Sequence, residues 1–171
     1  MSHDADIHKL AELIKGINIA MLTTVGDNGA LHSRPMATQQ AEFDGVLWFF
    51  TEAESGKVHE VQQDKHVNLS YADPSGNRFV SVSGLAQLVR DRAKAEELWS
   101  PIHKAWFPKG LDDPNLALLR VQVTQAEYWD GPSSTLVKLY GFAKAMVTGK
   151  KYGEEGVDHA KVDLRSGMPS A

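Results

Sequence analysis

The chain has 171 residues, 42% hydrophobic and 23% charged, with 18 Lys and Arg against 22 Asp and Glu and a net charge of −4. That length suits one domain with a sizeable core, and the scattered cations of an acidic chain argue against nucleic acid as a partner. No apolar run approaches the roughly 20 residues that span a bilayer, the acidic start "MSHDADIHKLAELIKG" is unlike a secretion signal, and no cysteine is present for disulfide or thiolate chemistry, so a cytoplasmic protein away from membranes is expected.

Ile7, Leu10, Ala11, Leu13 and Ile14 recur at helical spacing and Gly16 closes the segment, which predicts an amphipathic helix over 5–15. The period then changes: "INIAMLTTV" (17–25), the turn "GDNG" (26–29) and "ALHSRPMAT" (30–38) read as a hairpin, and a turn at Asp44 and Gly45 leads to the strand "VLWFFT" (46–51). "ESGKVHEVQQD" (54–64) is a short helix with Val58 and Val61 facing in and its charges facing out. "VNLSYAD" (67–73) and "RFVSVSGLAQLV" (78–89) form a second hairpin around "PSGN", the latter strand bent at Gly84 or with Phe79 opposite Val80 and Val82. A helical stretch over 91–107 is interrupted by Pro101, a loop covers 108–115, and "LALLRVQVTQAEYWD" (116–130) is the longest strand. A helix capped by Ser133 runs over 133–147, and the Gly-rich, charged tail from Lys150 to the end reads as irregular. Six strands joined mostly by short turns predict a mainly β fold with helices (α+β), a small antiparallel barrel, with residues 1–149 as a single domain.

No serine sits in a nucleophile elbow, and the seven histidines, at 3, 8, 32, 59, 66, 103 and 159, show no ligand spacing, so neither a catalytic triad nor a metal site is expected. Nor is there a dinucleotide fingerprint or a P-loop. Two features stand out instead. In "HSRPM" strand periodicity puts His32, Arg34 and Met36 on one face and Ser33 and Pro35 on the other. Pro35 has no N–H for a ladder, so this part of the strand belongs at an edge, at a bulge or beside a ligand, and an edge strand with a solvated arginine explains it as well. In "SGK", Ser55 can cap the following helix, whose free amides with Lys57 suit an anion such as phosphate. A plain capped helix with a solvated lysine is the competing reading, with Glu52 and Glu54 in its favour. Trp48, Phe49 and Phe50 are most simply core residues.

The ordered series "HSRPM", "GVLWFFT", "SGK", "VNLSYADP" and "RFVSVSGLA" resembles the flavin-binding split barrel of the pyridoxamine 5′-phosphate oxidase family, and within it the short bacterial branch called general stress protein 26, over roughly Ile17 to Trp129. The resemblance implies a six-stranded antiparallel split barrel with flanking helices, and FMN bound at the interface of a homodimer. It places Arg34 on the phosphate with Ser55 and Lys57, runs Ser33, Pro35, Met36, Phe50 and Thr51 along the flavin, and offers Trp106 and Trp129 as walls from either subunit. The implied activity is that of a flavin-dependent oxidoreductase or flavin reductase with a nicotinamide as electron donor, and the alternative is a non-enzymatic flavin sensor or carrier. A deazaflavin is also compatible with such a barrel. No catalytic acid or base is implied. Pyridoxamine 5′-phosphate oxidase activity is not expected, because Gln39 and Gln40 stand where the oxidases place a substrate-binding lysine, and Phe79 and Ser81 where they place a glutamine and an arginine.

Overall fold

A computed structural model describes residues 3–39, 41–132, 142–144, 146–148 and 158–165. Helix α1 (His3–Ile14) opens with Asp4 and Asp6 in its first turn, favourable at the positive end of the helix dipole, and buries Leu10 and Leu13. It leads into β1 (Ile19–Val25) and β2 (Leu31–Ala37), an antiparallel hairpin whose turn is closed by Gly26 N–H donating to Ala30 O at 2.8 Å. Gly29 holds φ at +78° there, a conformation that L side chains rarely adopt. Then come β3 (Val46–Glu52), α2 (Gly56–Gln63), β4 (His66–Asp73), β5 (Arg78–Val89), α3 (Arg92–Leu98), two 3₁₀ turns (Pro101–Ala105 and Gly110–Asp112), β6 (Leu116–Asp130) and β7 (Asp158–Asp163).

Six strands follow the order β2-β1-β4-β5-β6-β3, every neighbour antiparallel. The two ends of this path, β2 and β3, come back into contact, so the sheet curls into a half-barrel with helices around it. The curl tightens at Gly84, where the β5–β6 register shifts. A Cβ at Gly84 would lie 2.5 Å from Gln122 O, so no side chain fits there.

A seventh strand corrects the expected irregular tail. β6 is 15 residues long and β3 pairs only with its first half, Leu116 to Gln122. β7 takes up the same edge from Gln125 to Asp130, pairing backbone groups that would otherwise form an open strand edge. The expected helix over 133–147 falls largely outside the described residues; its described parts, 142–144 and 146–148, are helical.

Alternation sorts the side chains. Ala20, Leu22 and Thr24 of β1, Leu69 and Tyr71 of β4, Val80 and Val82 of β5 and Val121 and Val123 of β6 fill the inside, and burying each larger apolar side chain contributes about 1.5–3 kcal/mol. A smaller apolar cluster, Ala95, Phe107, Leu116 and Leu118 with Trp48, Phe50 and Trp99 packed against it, sits under α3 and the 3₁₀ turns.

Candidate functional site

β2 is an edge strand: it pairs with β1 alone, and Pro35, opposite Met21, lies where its missing N–H costs no ladder bond. Its two faces have different fates. Ser33 and Pro35 are exposed on the outside, where the Ser33 hydroxyl lies 2.7 Å from that of Thr23. Met36 is buried in the core, and Arg34 points the same way, inward, opposite Leu22.

There Arg34 enters a polar cluster between β1, β2 and α2. One terminal nitrogen of its guanidinium donates to Glu60 Oε2 at 2.7 Å, the other to the hydroxyl of fully buried Thr24. Thr24 donates onward to the same Glu60 oxygen, and His32 Nδ1 donates to Oε1. Bonds from Thr24, His32 and then Arg34, with Arg34's charge, hold the Glu60 carboxyl at about 2, below the ordinary 4.5. Helical periodicity places Glu60 with the outward charges; in the fold its side chain is only 14% exposed, because the strand pair supplies three donors that water would otherwise replace. The signal for it lies in spacing: Lys57, Glu60 and buried Val61 share one face of α2, which packs on β1. His32 on the face of Arg34 was the matching half of that signal.

This network leaves donors over. A guanidinium has five N–H groups, and among the described residues only two of Arg34's have acceptors, so its Nε–H and one N–H on each terminal nitrogen stay available. Lys57 is half-buried and has no ion-pair partner among the described residues. Burial lowers its pKa; the charge of Glu52 opposes this, and the charge of Arg34, a smaller effect than that of Glu52, adds to the lowering. Lys57 therefore feels both the carboxylate of Glu52 and, more weakly, the guanidinium of Arg34. Ser55 stands at the N-cap position of α2, yet its hydroxyl donates to Glu52 O at 2.8 Å and caps no amide. The amides of Gly56 and Lys57 consequently have no acceptor among the described residues, at the helix end where the dipole favours negative charge.

The other expected contacts lie elsewhere. Thr51 is buried inside the barrel, its hydroxyl 3.4 Å from Glu52 O. Phe50, half-buried, packs in the smaller cluster edge-on to Trp99 at 5.7 Å and against His103 at 4.3 Å. Trp106, 60% exposed, follows the first 3₁₀ turn. Trp129 lies on the outer face of the sheet, stacked on His159 at 5.1 Å and opposite Phe79, away from Arg34. One chain thus turns Arg34 inward onto Glu60 of α2, the helix that also carries Lys57, and leaves Ser33, Pro35 and both tryptophans on other faces.

A family model described as pyridoxamine 5′-phosphate oxidase like matches residues 5–153. The chain belongs to that family. The chain is similar to Protein bli-3 of Neurospora crassa, 32% identical over 86% of this chain and 75% of that protein, and to General stress protein 26 of Bacillus subtilis, 27% identical over 77% of this chain and 93% of that protein. Among solved structures, the general stress FMN/FAD binding protein of Xanthomonas citri superposes with a TM-score of 0.66 at 31% identity, covering 77% of this chain and 92% of that one. Among the described residues no helix of this family member is long and apolar enough to cross a membrane.

Proposed function

We propose that the chain binds FMN, with the phosphate held by Lys57, Arg34 and the first amides of α2. The observation that carries this reading is Lys57, a half-buried cation without an ion-pair partner among the described residues, at a helix start with open amides and within the field of an arginine with open donors. One phosphate dianion answers all three. Arg34, anchored from behind by Glu60 and Thr24, keeps enough of its planar fork for paired hydrogen bonds, and Lys57 adds a point charge. Family membership and the FMN/FAD-binding relative support a flavin as the rest of the ligand.

The working unit we propose is a homodimer with the flavin at the subunit interface. Ile19, Phe79 and Trp129, 51%, 39% and 38% exposed, give the outer sheet face an apolar row suited to a second copy. Since Trp129 stands on the opposite face from Arg34 of its own chain, it can wall the flavin held at that arginine only as a residue of the partner subunit. Bound flavin supplies redox chemistry, and the chain's residues contribute binding, orientation and exclusion of water. We read the activity as that of a flavin-dependent oxidoreductase or flavin reductase that takes electrons from a nicotinamide.

Purification without added flavin, followed by an absorbance scan, FMN titration and light scattering, tests the binding and the dimer. A yellow, saturable, two-chain species is expected; a colourless protein with no saturable FMN binding contradicts the proposal. Anaerobic addition of NADH or NADPH to the FMN-loaded protein then separates the roles: rapid bleaching marks an oxidoreductase, and persistent yellow colour marks a carrier or sensor.

A further inference from the structure

A cavity between α1, residues 38, 39 and 41–44 and β3 is lined by none of the residues assigned to FMN above, though Gln39, at the position of the oxidases' substrate-binding lysine, borders it. Its volume is about 720 Å³, within the roughly 300–1,000 Å³ usual for small-molecule sites. Ile7, Ala11, Ile14, Phe43, Leu47 and Phe49 make its walls apolar. Trp48 also lines it.

Tyr71, on β4, is the exception among these linings. It is 3% exposed, lines the cavity, and its hydroxyl has no hydrogen-bond partner among the described residues. Burial pushes its ionisation well above the ordinary tyrosine value, so the group stays an O–H donor at neutral pH. The other buried tyrosine of the sheet, Tyr128, reaches Asp158 Oδ2 at 3.4 Å. Buried hydroxyls are nearly always paired, and an unpaired one beside an open cavity calls for an acceptor from outside the chain. The polar lining has a sign as well. Among the lining side chains Asp4, Glu12, Glu42 and Asp44 outnumber Lys15 and His8, and Lys94 and Arg120 lie over the ring of Trp48 without lining the cavity, so positive charge is favoured there.

We propose that this cavity binds a small cationic aromatic molecule whose ether or carbonyl oxygen accepts the Tyr71 hydroxyl and whose ammonium group meets the acidic side chains. The apolar walls take up the ring, the hydroxyl sets its orientation, and the carboxylates select its charge. The reading is independent of flavin binding.

Isothermal titration of the full chain with 4-methoxybenzylamine, 4-ethylbenzylamine and 4-methoxybenzoate tests it. The methoxy amine is expected to bind saturably with one site per chain. The ethyl amine, of similar shape but without an acceptor, should bind about fivefold more weakly, the worth of one neutral hydrogen bond. The benzoate, with its charge reversed, should bind more weakly than both. Tyr71→Phe should remove the preference for methoxy over ethyl while leaving the preference for amine over carboxylate, and prior loading with FMN should change neither. Absence of saturable binding, equal binding of the three probes, a methoxy preference that survives Tyr71→Phe, or displacement by FMN would overturn the proposal.

Discussion

Two ends of the inner face of β1 solve the problem of buried polarity in opposite ways. Ala20, Leu22 and Thr24 alternate along that face, and Leu22 separates the ends. At the Thr24 end charge is met by charge: Glu60 takes bonds from Thr24, His32 and Arg34, and one cation, Lys57, has only the unbonded charge of Glu52 to offset it among the described residues. At the Ala20 end, opposite Tyr71 in the β1–β4 register, apolar walls border a hydroxyl with no partner among the described residues. A surplus cation and an orphaned hydroxyl are different kinds of incompleteness. The first suits an anion, the second a ligand that carries an acceptor into an apolar slot.

Removing a group that is bonded in the fold and removing one that is not should therefore move stability in opposite directions. The largest effect is expected at Glu60: Glu60→Ala leaves Arg34, its side chain 24% exposed, without its counter-charge, and should cost roughly 2–3 kcal/mol in urea unfolding at neutral pH. A loss below roughly 0.5 kcal/mol would mean that the pair behaves like a solvated surface bridge. The same carboxylate has a pH signature. Its folded-state pKa is depressed to about 2 from 4.5, so its contribution is present above the higher value and is lost as pH falls through the lower one. Glu60→Gln should flatten that part of the acid-unfolding profile.

Tyr71→Phe should do the reverse of Glu60→Ala, raising stability by about 1 kcal/mol without ligand, because it removes a buried hydroxyl that gains no bond from the described residues on folding. A loss of stability in thermal unfolding would show that the hydroxyl is satisfied in solution. The smallest effect belongs to Lys57→Met, which exchanges a half-buried, unpaired cation for an apolar chain of similar length and should raise the ligand-free stability by roughly 0.5 kcal/mol. Such a gain in stability, paired with a loss in binding, is the mark of a residue kept for a ligand.

Much of this fold is legible from alternation and turn residues. "INIAMLTTV", "GDNG" and "ALHSRPMAT" form the hairpin they suggest, and the edge position that Pro35 demands is where β2 lies. β7 is not legible, because only Val162 of its six residues is buried; the strand exists to complete the edge of β6, a need visible only once the sheet is assembled. The site divides in the same manner. Arg34 and Lys57 can be picked out by residue type and context, and the fold brings Lys57 within the field of Arg34. Glu60 is hidden, since a helical carboxylate reads as solvated until Thr24, Arg34 and His32 are known to face it. The orphaned hydroxyl of Tyr71 leaves no trace in the strand "VNLSYAD", where a tyrosine is an ordinary core residue.

The most direct test of the phosphate assignment is a paired titration of wild type and Lys57→Met with FMN and with riboflavin, which lacks the phosphate. If Lys57 holds the phosphate, its loss should weaken FMN by roughly tenfold or more, in line with a charge-assisted hydrogen bond, and leave riboflavin within about twofold. Equal losses for both ligands, or none for FMN, would place the phosphate elsewhere and contradict the account.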